Sequence, residues 1–335
     1  MRLLDLITQS NKPILIDSTG SQHICQLPGA EILAPRIRQC PLRYVLQDDV
    51  TELCTQLAFE EDTILGSSIE IVRVPVPNLW IEFRAGARRQ TFAGLGRLSG
   101  KPSLSSQQRI GLYISSDQQG RKGSVDICWD NIDGLSPEVA PFTLEFDFDD
   151  EFFSEAGDSA GACLGVDVAN PTALNPLFGR VRFCLRPQWS HYYMDVVAGD
   201  IHYQRVLREA VTPLLEDVPF FATFCLLLMS RSAFHQQPSD YSKLNKARTR
   251  RGRQPLLDHV ELTMDLMPHA VADEGVVTLL PGEHRSSPRL HFVRGHLVRR
   301  GDAIFWRTSH MRGKPSAGAI RSRTISLHLG QQSAM

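Results

Sequence analysis

The stretch from His284 to Gly313 carries the residue types best suited to chemistry. It contains four histidines and seven arginines between apolar residues that alternate as in a β-hairpin. Guanidinium groups bind phosphate through charge-assisted, often bidentate hydrogen bonds, and imidazole titrates near neutral pH. The stretch therefore predicts either the binding of polyanions or proton transfer, and neither role identifies a substrate.

A two-residue turn at Gly301 and Asp302 would fix the register of this hairpin. His291 then lies opposite Arg312, and His296 lies opposite Arg307. A histidine beside arginines is typical of metal-independent ribonucleases, because imidazole moves the proton while guanidinium stabilises the developing negative charge. For such a nuclease the candidate catalytic residues are His291, His296, Arg294 and Arg307.

A second basic segment precedes the hairpin. Residues 240–251 predict one short helix that ends at Gly252, with Lys243, Lys246 and Arg250 on one face. The next residues alternate as a strand from His259 to Leu266, and the alternation predicts that His259 faces outward.

The preferred interpretation is that both segments bind nucleic acid, either DNA or RNA. Their basic side chains would neutralise the phosphate backbone, and an aromatic side chain would stack on an unpaired base. Two alternatives stay open: the nuclease, and a protein-binding module with no affinity for nucleic acid. The predicted binding residues are Lys243, Lys246, Arg250, Arg251, Arg289, Arg294, His296, Arg299 and Arg307.

The net charge of the 335-residue chain is −1, but the charge is unevenly distributed. Residues 243–323 hold sixteen basic and seven acidic residues, which leaves twenty basic and thirty acidic residues elsewhere. Residues 145–158 include seven acids and no base. This acidic segment is expected either to hold a divalent cation such as Mg²⁺, to pair with the basic C-terminal residues, or to face solvent.

The seven cysteines show no zinc-ribbon spacing and are expected to be reduced, mostly buried thiols. No motif predicts a metal site or a cofactor. The N-terminus lacks a long apolar region, and the longest apolar run, Val218–Met229, is too short to cross a membrane. A cytoplasmic protein with a core helix at 218–229 is expected.

The patterns favour an α+β fold with a β-rich N-terminal domain, central helices and a basic C-terminal β-hairpin module. The expected domains are 1–150, 151–238 and 239–330. Within 14–129 the only predicted helix is Asp48–Phe59, and Ile69–Phe83 is expected to split into two strands or to lie on a sheet edge, because Pro75 and Pro77 lack an N–H donor.

The segments KLNKARTRRGRQPLLDHVELTMDL and HRSSPRLHFVRGHLVRRGDAIFWRTSHMRG resemble a family of phage and prophage proteins of unassigned activity. In that family a basic L-N-x-x-R segment and a strand precede H-x-S-P-R-x-H-x-R-R-G-H-x-R and a tryptophan. The chain departs from the motif at Arg285 and Val293. Matching residues are His284, Ser287, Pro288, Arg289, His291, Arg294, Gly295, His296, Arg299 and Trp306.

This resemblance covers about the last quarter of the chain and extends weakly to VPVPNLWIEF, which is similar to an earlier Pro-x-x-Trp segment of the family. It implies a phage or mobile-element origin. The roles that it suggests are host takeover, anti-defence or genome handling, inside a host cell and with a host protein as a possible partner.

Overall fold

The structure is a computed structural model that describes residues 2–9, 14–17, 24–27, 30–59, 68–94, 108–130, 137–155, 163–165, 177–187, 189, 207, 210–230, 233–264, 289–293, 296–300, 303–307, 310–312 and 314–319. The chain divides into two compact units. The first comprises Met1–Met264 with Arg299–Phe305, and the second comprises Asp265–Val298 with Trp306–Met335.

The described α-helices all belong to the first unit. Their bounds are α1 Leu3–Gln9, α2 Ala34–Gln39, α3 Asp48–Phe59, α4 Ala85–Gly94, α5 Asp217–Leu228 and α6 Ser242–Arg250. A two-stranded ladder joins β1 Ile14–Asp17 to β2 Ile24–Leu27.

A nine-stranded mixed sheet forms the centre of the first unit. Its strands are β3 Leu42–Leu46, β4 Asn78–Arg84, β5 Arg109–Ser116, β6 Lys122–Asp130, β7 Pro137–Asp147, β8 Cys163–Gly165, β9 Val181–Leu185, β10 His235–Pro238 and β11 Val260–Thr263. Their order in the sheet is β10-β11-β3-β4-β5-β6-β7-β9-β8. β3 runs parallel to both β4 and β11, and the other neighbours are antiparallel.

Helices cover both faces of this sheet. Successive side chains of a strand point to opposite faces, so Trp80 and Phe83 of β4 mark the two sides. Trp80 is buried in a cluster with Leu3 and other residues of α1 and α2. Phe83 packs on Phe220 of α5, with ring centroids 4.3 Å apart. The fold is therefore α+β, as the sequence predicts.

Two buried acids hold helices in place, one by joining a helix to the sheet and the other by joining two helices. Glu82 accepts hydrogen bonds from the backbone N–H groups of Leu3 and Leu4 at 2.9 and 3.0 Å, and thereby caps α1. Arg88 of α4 forms an ion pair with Asp217 of α5, and both side chains are almost fully buried. Burial raises the pKa of Asp217, although the guanidinium opposes the change.

Two predicted helices, Asp48–Phe59 and the apolar segment 218–229, are confirmed as α3 and α5. The prediction of a single helix within 14–129 is wrong, because α2 and α4 also lie there. Both are short or weakly amphipathic, so tertiary packing rather than periodicity stabilises them. No helix among the described residues is long and apolar enough to span a membrane.

The prediction that Ile69–Phe83 splits into two strands or lies on a sheet edge is also wrong. Only Asn78–Arg84 forms a strand, and β4 lies in the interior of the sheet rather than at its edge. The residues before it bind the turn between β5 and β6 instead, where the Val74 N–H donates to the Gly120 carbonyl at 2.8 Å. Gly120 has a φ of 72°, and a Cβ there would lie 2.1 Å from the Val74 oxygen.

Five further strands are described after residue 288: β12 Arg289–Val293, β13 His296–Arg300, β14 Ala303–Arg307, β15 His310–Arg312 and β16 Lys314–Ala319. β12 pairs with β15 and β16, while β13 and β14 form a two-stranded sheet. The predicted domain boundaries at 150 and 238 stay predictions. The nine-stranded sheet takes strands from all three predicted segments.

Candidate nucleic-acid interface

The basic helix α6 begins and ends where its sequence provides local signals. The Asp240 carboxylate accepts the Ser242 N–H at 2.9 Å, and Gly252 takes a φ of 67° just after the last turn. Hydrogen bonds from the Ser242 hydroxyl and from its N–H lower the pKa of Asp240. The helix runs from Ser242 to Arg250 and confirms the helix predicted over 240–251.

Asn245 and Arg248 hold α6 against the rest of the first unit. The Asn245 side chain accepts the Leu256 N–H at 2.8 Å and donates to the Leu256 carbonyl at 3.0 Å. The Arg248 guanidinium donates to the Gln254 carbonyl at 2.8 Å and to the Gln9 side chain at 3.2 Å. These contacts fix which side of the helix faces outward.

The other basic residues of this segment point to solvent. Each is exposed, and none forms an ion pair with another described residue. An α-helix rises about 1.5 Å per residue, so the row from Lys243 to Arg250 is about 10 Å long, the axial length of about three phosphates on one DNA strand. The exposed cations are Lys243, Lys246, Arg250, Arg251 and Arg253.

The residues after α6 connect it to the core. The Leu257 N–H donates to the Asp5 carboxylate of α1 at 3.1 Å, and Leu257 packs against the apolar cluster around α1 and α2. Burial raises the pKa of Asp5, and the bond from Leu257 partly opposes that change. The segment that follows the basic helix is therefore anchored to the core of the first unit.

The prediction that His259 faces outward is wrong. Its side chain is buried, with its ring centroid 5.5 Å from that of Tyr241 and its Nε2 3.6 Å from Glu261. The predicted alternation is present within β11, since Leu262 is buried while Glu261 and Thr263 are only half-buried. His259 departs from it because it lies just before β11, where the Tyr241 ring packs beside the imidazole.

The C-terminal strands place several predicted residues. His291 lies opposite Arg312 in the β12–β15 ladder, which is the pairing that the sequence predicts. His296, Arg300 and Arg307 are exposed, while Trp306 is buried.

The remaining C-terminal candidates lie on strands or outside the described part of the chain. Arg289 lies on β12 and Arg299 on β13, whereas Arg294 lies outside the described residues. The Arg300 guanidinium lies 5.5 Å from the centre of the Phe305 ring, and the partly exposed ring offers a stacking surface.

The described part of the acidic segment forms ion pairs within the first unit. Glu145 binds Arg182 of β9 at 2.7 Å, and Asp147 binds Lys122 of β6 at 2.9 Å. Asp149 binds Arg121 at 2.6 Å. These carboxylates are thus neutralised by cations close to them in the sheet.

Sequence reasoning identified the cations of α6 but missed the two side chains that orient them. Asn245 and Arg248 belong to the L-N-x-x-R pattern, which was the available signal.

Comparisons with protein-family models, curated proteins and solved structures found no match to this chain.

Proposed function

We propose that this protein binds nucleic acid through α6 and the basic C-terminal strands. The observation that carries the proposal is the row of exposed cations on α6, which has no ion-pair partner among the described residues. Such cations neutralise phosphates and release condensed counterions, which favours binding at low salt. Arg253 extends the predicted set at the end of the helix.

The acidic segment gives indirect support. If its carboxylates neutralised the C-terminal arginines, the basic surface would need no external anion. Glu145 and Asp147 instead pair with cations of neighbouring strands, and Asp149 pairs with Arg121 just before β6. The exposed Arg300 and Arg307 and the Phe305 ring suit a backbone with unpaired bases, because arginine binds phosphate and an aromatic ring stacks on a base.

A metal-independent nuclease is the second candidate, and one observation favours it. His296 and Arg307 are both exposed on strands that belong to one two-stranded sheet. In this function His296 transfers the proton, and Arg294 and Arg307 stabilise the charge on the phosphate, with His291 as the alternative base. His296→Ala is then expected to abolish cleavage and to leave most of the binding.

The resemblance of the C-terminal quarter suggests the setting. We propose a phage or prophage accessory protein that acts on nucleic acid in the host cytoplasm. A module that binds a host protein or belongs to a virion, with no affinity for nucleic acid, is the competing outcome.

The test is a fluorescence-anisotropy titration with labelled single- and double-stranded DNA and RNA at two salt concentrations, with a denaturing gel run in parallel. Salt-sensitive binding without cleavage supports the binding function. Cleavage that disappears in His296→Ala supports the nuclease. No binding to any of the four probes contradicts both.

A further inference from the structure

Cys163 and Cys184 form the only disulfide among the described cysteines, contrary to the expectation that all are reduced. They lie opposite one another on β8 and β9, at the edge of the nine-stranded sheet. Both residues are partly exposed. The described free cysteines are all buried, at Cys40, Cys54, Cys128 and Cys225.

Because of this difference in burial, the Cys163–Cys184 pair can react, whereas the buried free thiols are inert. Burial raises the pKa of Cys225 to about 12, so its thiol stays protonated and is a poor ligand. The cross-strand pair is instead within reach of solvent, of small thiols and of metal ions. The pair can therefore react with thiols or bind metal ions while the protein stays folded.

Glu145 adds a third ligand beside the pair. One of its carboxylate oxygens and the two sulfur atoms all lie within 4.8 Å of one another. Arg182 contacts Glu145 through Nε at 2.8 Å and through a terminal nitrogen at 2.7 Å, and both contacts are to Oε2. The guanidinium therefore fixes the orientation of the carboxylate.

We infer that Cys163, Cys184 and Glu145 bind one Zn²⁺ when the disulfide is reduced, with Arg182 as the group that orients Glu145. Thiolates favour zinc over magnesium, and zinc sites with three protein ligands keep a fourth position for water. The two thiolates and the carboxylate carry three negative charges. Zn²⁺ and the Arg182 guanidinium together neutralise them.

A dithiol serves as the reductant of the Cys163–Cys184 disulfide. The dithiol transfers two electrons and two protons to the S–S bond, which breaks to give the Cys163 and Cys184 thiols while the dithiol closes to its own disulfide. Zn²⁺ then displaces the two thiol protons, which pass to water. In a reducing compartment the pair is metal-binding, and in an oxidising one it is a disulfide.

The test measures zinc on the full chain in both redox states. One sample keeps the disulfide, and the other is reduced with dithiothreitol, which is removed by gel filtration under nitrogen. Zinc is then titrated against a chromophoric chelator, and Co²⁺ is used separately to detect thiolate-to-metal absorption. We expect one zinc per reduced chain, none per oxidised chain, and the cobalt band in the reduced chain alone.

Variants assign the ligands. Cys163→Ser is expected to abolish the cobalt band, and Glu145→Gln to weaken zinc binding at least tenfold. Arg182→Gln is expected to weaken it about 10- to 100-fold, as replacement of an orienting partner does. Cys40→Ala and Glu151→Gln are the matched controls and should bind zinc as the wild-type chain does.

Circular dichroism establishes that each variant is folded. If Cys163→Ser does not fold, Glu145→Gln and Arg182→Gln still decide the assignment, because neither alters a sulfur atom. The inference is overturned if the reduced chain binds no zinc, if the oxidised chain binds it equally well, or if folded Cys163→Ser or Glu145→Gln retains wild-type affinity.

Discussion

Replacing Lys243, Lys246 and Arg250 with glutamine removes three positive charges from the exposed side of α6. Glutamine has nearly the helix propensity of lysine and arginine, so the helix is expected to form. On duplex DNA each phosphate contact contributes about 0.9 to the slope of log affinity against log salt, and three lost contacts lower the slope by about 2.7. Over a fourfold rise in salt the wild-type chain therefore loses about 40-fold more affinity than the variant.

The assay is anisotropy of a labelled duplex at about 50 and 200 mM salt. On a single strand the contribution per contact is about 0.7, and the corresponding factor is about 20. Arg73→Gln is the matched control, because Arg73 is an exposed arginine outside α6. Its salt slope should equal that of the wild-type chain. If the triple variant also keeps the wild-type slope, the cations of α6 do not contact phosphate.

Three further predictions concern stability and titration. Gly252→Ala should lower the free energy of unfolding by about 1 kcal/mol, the cost of a left-handed alanine, while Gly120→Ala should lower it by at least about 2 kcal/mol more, because its Cβ meets a backbone oxygen at 2.1 Å. Equal losses in urea unfolding would contradict the packing described for that turn. Asp217→Asn leaves the Arg88 guanidinium buried without its main counter-charge and should cost about 3 kcal/mol by the same measurement; a loss below about 1 kcal/mol would refute this. The pKa of Asp240 is lowered by hydrogen bonds from the Ser242 hydroxyl and N–H at the start of α6, so its contribution to stability is present above the ordinary aspartate pKa of 3.8 and is lost as the pH falls through the folded value. An NMR titration of the Asp240 carboxyl carbon should show a midpoint below 3.8, and a midpoint at or above that value would contradict the capping interaction.

Periodicity and capping predicted the elements whose own sequence determines them. The helix Asp48–Phe59 carries clear apolar spacing, and α6 has an acidic residue before it and a glycine after it. Apolar spacing and capping residues can be recognised without knowing which other elements pack against the segment.

Features that depend on partners distant in sequence could not be predicted. β4 lies inside the sheet because β3 and β5 pair with it on its two sides. His259 is buried just before β11, where the Tyr241 ring lies beside it, and the alternation within the strand does not reveal that contact. Cys163 and Cys184 become opposed only when two strands align, since their spacing of 21 residues matches no short motif.

In the candidate interface, too, some features follow from the local sequence and others depend on contacts with residues elsewhere in the chain. The basic character of residues 243–253 is visible in the composition, and so is the helical face of Lys243, Lys246 and Arg250. The inward roles of Asn245 and Arg248 depend on contacts with Leu256 and Gln9, which the local pattern does not reveal.

The central claim is tested most directly by chemical labelling of lysines with and without bound nucleic acid. Acetylation of the full chain by an N-hydroxysuccinimide ester is read at each lysine by mass spectrometry, with Lys122 as the internal reference because it is paired with Asp147. We predict that saturating DNA or RNA protects Lys243 and Lys246 and leaves Lys122 unchanged. Equal labelling of Lys243 and Lys246 at every nucleic-acid concentration would contradict the proposed interface.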